Sequence, residues 1–311
     1  MPASYVHQCV AHSACDALSL YTQPRLRNAV LAGSEGPDPL FFSVLLPTVP
    51  RIASMIHTSR TDDFLIALAD ACAASDITRA YCCGFFTHYA ADTVIHPYVY
   101  ARSLTPQGVC SVNVHCTLEQ QIETLFFRRQ GHASGLPVQM AGIAALSGAD
   151  RSEIARALTT AIRKVFPDDA PAYRHIRASL DNGVHISALL RSERGVWYRV
   201  LAAMLRPLRM DALVHAHMMP AEPPAHDIMN DAHNPWSSLW TPSVQQNESF
   251  EDLYAAAVQR AQALVSAADG YMLGNTSYAA LRTLHGGFSY HSGLPWQTSC
   301  AAKDAPGAAR S

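Results

Sequence analysis

Charge is scarce in this sequence: Asp, Glu, Lys and Arg make up 15% of its 311 residues, and the formal net charge is −2 with a pI near 6.7. A chain so poor in charge and so rich in apolar residues (49%) is not a disordered one. The near balance of signs leaves no basic footprint for duplex nucleic acid or an anionic membrane surface. Long apolar runs are missing too. Nothing approaches the roughly 18 consecutive apolar residues of a membrane-spanning helix. The first residues, "MPASYVHQCVAHSACDALSLY", have no basic start, and His7, His12 and Asp16 interrupt their apolar positions. They do not read as a signal peptide, and a cytoplasmic protein is the expectation. Eight cysteines occur without a single C-x-x-C pair, mostly within helical apolar patterns, which points to reduced core thiols. Internal repeats and low-complexity tracts are absent as well.

Few segments alternate with period two, whereas spacings of three and four recur throughout. The expectation is an all-α, single-domain, multi-helix bundle over residues 1–298, with residues 299–311 as a disordered tail. Ser4 suits the N-cap of a first helix, Pro24 a first-turn proline, and Gly33 the end of that second helix. "GSEGPDPLFF" reads as a loop. Helices are expected over Val49–His57, Asp62–Ala74, Asp76–His96, Val112–Gln130, Ser152–Val165 and Phe250–Leu273. Asp150 with Glu153 resembles a capping box for the fifth of these, and Ser249 caps the last.

Histidine is what the sequence has in excess, with fifteen residues. The stretch "CCGFFTHYAADTVIHPYVY" sets His88, Asp92 and His96 four residues apart in an otherwise apolar helix. At helical periodicity the three fall within an arc of about 80° on one face. Such spacing lets side chains converge on one ion, and it is equally compatible with hydrogen-bonded core polar residues. "HCTLE" repeats the four-residue step with His115 and Glu119, a pattern also found on solvated faces. Asp38 in "GPDP" fits a turn, His57 a helix C-terminus, and His7 a partly buried surface position.

Taken in order, "YVH", "GPDP", "MIH", "GFFTHYAADTVIHPY" and "HCTLE" resemble the bacterial zinc-dependent phospholipase C family, itself related to the trinuclear-zinc single-strand nucleases and 3′-nucleotidases. The specific part is H-x3-D-x3-H-P followed 19 residues later by H-x3-E. The detailed likeness covers roughly residues 1–125; "NDAHNPW" and "GFSYHSGLPW" are weaker echoes. The resemblance implies two to three zinc ions. Asp38, His57, His88 and Asp92 would take the first, and His96, His115 and Glu119 the second. His7, a bridging Asp92 and the N-terminal backbone at Met1 or Pro2 would take the third. All are N and O ligands that suit zinc. Two departures stand out. Relatives often begin with Trp where this chain begins "MPASYVH", and the aromatics of the choline-specific enzymes are replaced by Pro39 and Ser54.

Clustered zinc ions would lower the pKa of water towards neutrality and neutralise a phosphodiester. Asp38 is the candidate to orient or deprotonate the attacking water. The expected activity is phospholipase C-like hydrolysis of a phosphodiester substrate, most naturally a phospholipid. The alternatives are a nuclease or 3′-nucleotidase and a non-catalytic zinc-binding scaffold. Arg51, Arg60 and Arg79 are candidate phosphate holders. Asn234 and Trp236, in the loop that follows "EPP", are candidate substrate-lining residues. His226, Asp227, Asp231 and His233 in that loop allow a second metal site or an HD-type phosphohydrolase signature. His215 and His217, two apart, would diverge on a helix.

Overall fold

A computed structural model describes residues 4–43, 46–104, 111–132, 135–190, 199–200, 203–204, 206 and 227–301. Among these the chain forms twelve α-helices and no β-strand. They are α1 Ser4–Ala17, α2 Pro24–Gly33, α3 Thr48–Thr58, α4 Thr61–Cys72, α5 Asp76–Arg102, α6 Val112–Arg129, α7 Ala141–Ala145, α8 Gly148–Val165, α9 Tyr173–Leu190, α10 Phe250–Met272, α11 Tyr278–His285 and α12 Trp296–Ala301. A 3-10 turn, Asp38–Phe42, occupies part of the stretch that reads as a loop. The last helix runs past Ser299, where the sequence reads as a tail.

Helix α5 is the axis of the fold. Its residues are apolar all round, and such a helix is stable only when surrounded; α2 and α10 pack along it most extensively. Ser75 caps it, accepting the Thr78 N–H at 3.3 Å. The expected end at His96 is passed by six residues, although Pro97 removes one backbone donor. Tertiary anchors hold the extension: Tyr98 donates to the Ile228 carbonyl at 2.7 Å and Arg102 to that of Asp227 at 2.7 Å.

Two glycines let α2 and α5 touch backbone to backbone. A Cβ on Gly84 would lie 2.9 Å from Gly33 Cα, and one on Gly33 would lie 2.8 Å from the Phe85 nitrogen. Gly84 is one helical turn before His88, so this crossing fixes the height of α5 relative to the chain that leaves α2 towards Asp38.

Two expected caps differ. Ser4 lies within α1, and its hydroxyl donates instead to the buried Glu35 at 2.7 Å. Helix α8 is capped by Ser147, which accepts from the Asp150 N–H at 3.1 Å, while the Asp150 carboxylate pairs with Arg25 at 2.5 Å. A tertiary ion pair thus outcompetes the local box. Ser249 does form a capping box, with Asp252. Cys9, Cys15, Cys72, Cys82, Cys83 and Cys116 are unpaired thiols, and burial raises that of Cys15 to about 11.

Candidate metal centre

The four-residue steps of α5 set His88, Asp92 and His96 on one side of the rail, and other elements deliver partners to it. The turn after α2 brings Asp38, the last turn of α3 brings His57, the second turn of α1 brings His7, and α6 brings His115 and Glu119. Three groups result, each with its ligand atoms mutually within 4.8 Å: His7, His88 and Asp92; Asp38, His57 and His88; and His96, His115 and Glu119. All eight side chains are buried except that of His96, which is 14% exposed.

Asp92 stands at the junction. Its Oδ2 lies 3.0 Å from His88 Nε2, 3.6 Å from His96 Nδ1 and 3.8 Å from His57 Nε2, and its Oδ1 lies 3.3 Å from His7 Nε2. Asp38 Oδ1 is 3.2 Å from His57 Nε2, and Asp38 Oδ2 is 4.0 Å from His88 Nε2. In the other group Glu119 Oε1 lies 3.2 Å from His96 Nε2 and 3.1 Å from His115 Nε2. The His7 ring stacks on that of His88, with centroids 4.3 Å apart.

The second nitrogen of three histidines decides their tautomer. Nδ1 faces the Ala53 carbonyl in His57 (2.7 Å), the Ser34 carbonyl in His88 (3.0 Å) and the Tyr290 carbonyl in His96 (3.0 Å). A carbonyl can only accept, so Nδ1 carries a proton in each, and Nε2 is the ring atom turned towards the carboxylates; in His88, which burial keeps neutral, that atom presents its lone pair. His88 Nε2 and Asp92 Oδ2, although 3.0 Å apart, are not aligned as a hydrogen bond, and both are buried without a partner. A lone pair facing an anion at that distance is repulsive unless a cation lies between them. Histidines whose other ring nitrogen donates to a carbonyl or carboxylate are the usual form of zinc ligands, and the donor set is entirely nitrogen and oxygen. The residues fit the metal.

Electrostatics point the same way. Burial works against ionising Asp92, but His88 and His96 outweigh it and hold the carboxyl well below its usual range; Glu119 is held down similarly, with His115 and His96 beside it. Burial likewise opposes a charged His96, yet Asp92 and Glu119 raise it to about 9. Burial works against Asp38 too, but His88 and His57 hold it below its usual range, and three ionised carboxylates packed this deeply are matched by positive charge among them, from histidinium or from a bound cation.

The zinc dependent phospholipase C family model matches residues 6–170, more than half of the chain. The chain belongs to that family. Its all-α fold is that of the zinc-dependent phospholipase C family, and its buried histidine–carboxylate groups are consistent with metal sites. Comparison with curated proteins and with solved structures finds no match.

Other expected residues sit elsewhere. Trp236 is buried, donates its indole N–H to the Glu248 carbonyl at 3.1 Å and packs against Tyr98. Asn234 is exposed, its backbone bonded to Asn230. The tryptophan of this loop that approaches the site is Trp240, whose ring lies 5.2 Å from that of Tyr100, which in turn lies 4.4 Å from His115. Arg51 pairs with Asp169, Arg60 with Asp63, and Arg79 with Asp76, all away from the centre. Asp227 accepts the backbone N–H groups of Asp231 and Ala232, Asp231 pairs with Arg129, and His233 faces the Asn247 carbonyl. These are structural uses. Met1, Pro2, His215, His217 and His226 lie outside the described residues.

The sequence reading missed Tyr290 and His291. Their turn docks on the centre: the Tyr290 N–H donates to the His57 carbonyl at 2.9 Å, and the Tyr290 carbonyl holds His96. The only available signal was the weak likeness in "GFSYHSGLPW".

Proposed function

We propose that the protein is a phospholipase C-like hydrolase that cleaves phosphodiesters, with phospholipids as the natural class. The observation that carries this reading is the pair of adjoining histidine–carboxylate groups along one helix, with Asp92 within 3.0 to 3.8 Å of histidines from both. Asp38, His57, His88 and Asp92 would hold one zinc ion, His96, His115 and Glu119 a second, and His7 with Asp92 a third. The main-chain donor at Met1 or Pro2 that would complete the third lies outside the described residues. Bound zinc would supply Lewis acidity towards a phosphoryl oxygen and water that ionises near neutral pH.

The chain's own residues supply the rest. Asp38, buried and held beside His57, would orient an attacking water and take its proton. Phe41 and Tyr290, with ring centroids 5.6 and 5.1 Å from that of His57, keep water from the flanks of that imidazole. No helix among the described residues is long and apolar enough to cross a membrane, so a lipid substrate would be met at a surface.

A substrate panel tests the proposal. Zinc-replete protein is expected to release a phosphorylated headgroup and diacylglycerol from phospholipid vesicles and to cleave a chromogenic phosphodiester. Faster turnover of single-stranded DNA or 3′-nucleotides would establish the nuclease reading instead. No hydrolysis of any of them would leave a zinc-binding scaffold.

Gly36 offers a separate test of the ligand set. It has φ +55°, and a Cβ there would lie 2.6 Å from His88 Nε2. Gly36→Ala is expected to weaken zinc binding by about tenfold to a hundredfold, the usual cost of disturbing a ligand's surroundings. Competition with a chelator reads it, and unchanged affinity would remove His88 from the ligand set.

A further inference from the structure

The turn from Phe288 to Pro295 lies beyond the part of the chain that matches the family, yet it closes over the centre. It is pinned internally by Ser289 N–H to the Leu294 carbonyl at 2.8 Å and by Gly293 N–H to the Ser289 carbonyl at 3.0 Å. It is pinned externally to His57 and His96 through the two main-chain bonds of Tyr290. The next residue, His291, is thereby fixed over the gap between the two groups. Its ring centroid lies 5.7 Å from that of His57, 6.1 Å from that of His96 and 5.2 Å from that of Tyr100.

His291 differs from every histidine below it. It belongs to none of the three ligand groups. Its imidazole makes no hydrogen bond or ion pair among the described residues, and the residue is only half-buried. A ring whose main chain is pinned this firmly, with its polar atoms unused beside a cation-binding cluster, has a donor to give to a ligand of that cluster. An anionic phosphate oxygen, which can only accept, is the complement.

We infer that His291 binds the substrate's phosphoryl group, its ring N–H donating to a phosphate oxygen that lies between the two metal groups. The inference rests on the hydrolase reading above for the identity of the substrate. It adds a phosphate contact supplied by the C-terminal turn, where Arg51, Arg60 and Arg79 are engaged elsewhere.

The test measures binding of inorganic phosphate to the zinc-loaded, full-length protein by calorimetry, which needs no turnover. His291→Ala is expected to keep the wild-type zinc content and to bind phosphate about tenfold to a hundredfold more weakly, as for loss of a hydrogen bond to a charged group. His291→Gln, which retains an N–H donor, is expected to recover most of that loss. The kinetic counterpart is a KM for the chromogenic diester raised in the alanine variant and restored in the glutamine variant. Phosphate affinity unchanged in His291→Ala would overturn the inference, as would zinc loss in a folded His291→Ala or a wild type that binds no phosphate. A wild type that binds phosphate through His291 but hydrolyses nothing would sink the hydrolase reading and leave this contact standing.

Discussion

Asp92→Ala is expected to lose zinc and activity together. Among the described residues Asp92 is the one side chain within 4 Å of four histidines, and it sits on α5 where the histidine–carboxylate groups adjoin. Removing its carboxylate takes a ligand from the first proposed zinc site and the bridge to the third. It also removes the charge that faces His88 and His96. Activity on a phosphodiester should fall by about a thousandfold or more, beyond what loss of a single transition-state donor costs. Zinc content by elemental analysis should fall in parallel, and His88→Ala should behave alike, since His88 belongs to two of the groups. Wild-type zinc content in both variants would overturn the ligand assignment. Zinc loss with activity retained would show that the chemistry happens elsewhere.

Gly84→Ala is expected to be strongly destabilising. The added carbon would sit 2.8 Å from the Val30 carbonyl carbon and 2.9 Å from Gly33 Cα, against main chain that has no rotamer to yield. The helices must separate, and the loss should reach about 3 kcal/mol, the upper range for overpacking a core. Urea denaturation of the zinc-loaded protein reads it. Gly148→Ala is the control: it lies in the first turn of α8 with nothing within 4 Å of the new methyl, and should be neutral or slightly stabilising. Equal stability of the two variants would refute the close crossing. Because Gly84 precedes His88 by one turn, Gly84→Ala should also weaken zinc binding where Gly148→Ala does not.

Much of this architecture is legible in the sequence, because both signals are local. Period-four spacing on one apolar helix gives the rail, and Asp38, His57, His115 and Glu119 follow from the order of short motifs. What escapes is whatever depends on the fold's long-range closure. Ser4 reads as a cap, but it faces Glu35, thirty-one residues away in sequence. Asp150 reads as half of a capping box, but Arg25 takes its carboxylate. Helix α5 passes Pro97 because residues 227 and 228 hold its last turns. Trp236 carries the composition of a site residue and the burial of a core one; Trp240, four residues on, faces Tyr100. His291 reaches the centre only once a C-terminal turn has docked on α3 and α5, and no spacing rule spans that distance.

The acceptors that aim His57, His88 and His96 are main-chain oxygens, at Ala53, Ser34 and Tyr290. A main-chain oxygen persists whatever residue the codon specifies. As far as these bonds are concerned, those three positions are free to drift in identity without detuning a ligand. The same arrangement transfers vulnerability from side-chain chemistry to chain path. Polar-to-apolar changes around the ligands should be quiet, whereas insertions, deletions or new prolines that shift any of the three carbonyls by a fraction of an ångström should be heard at the metal.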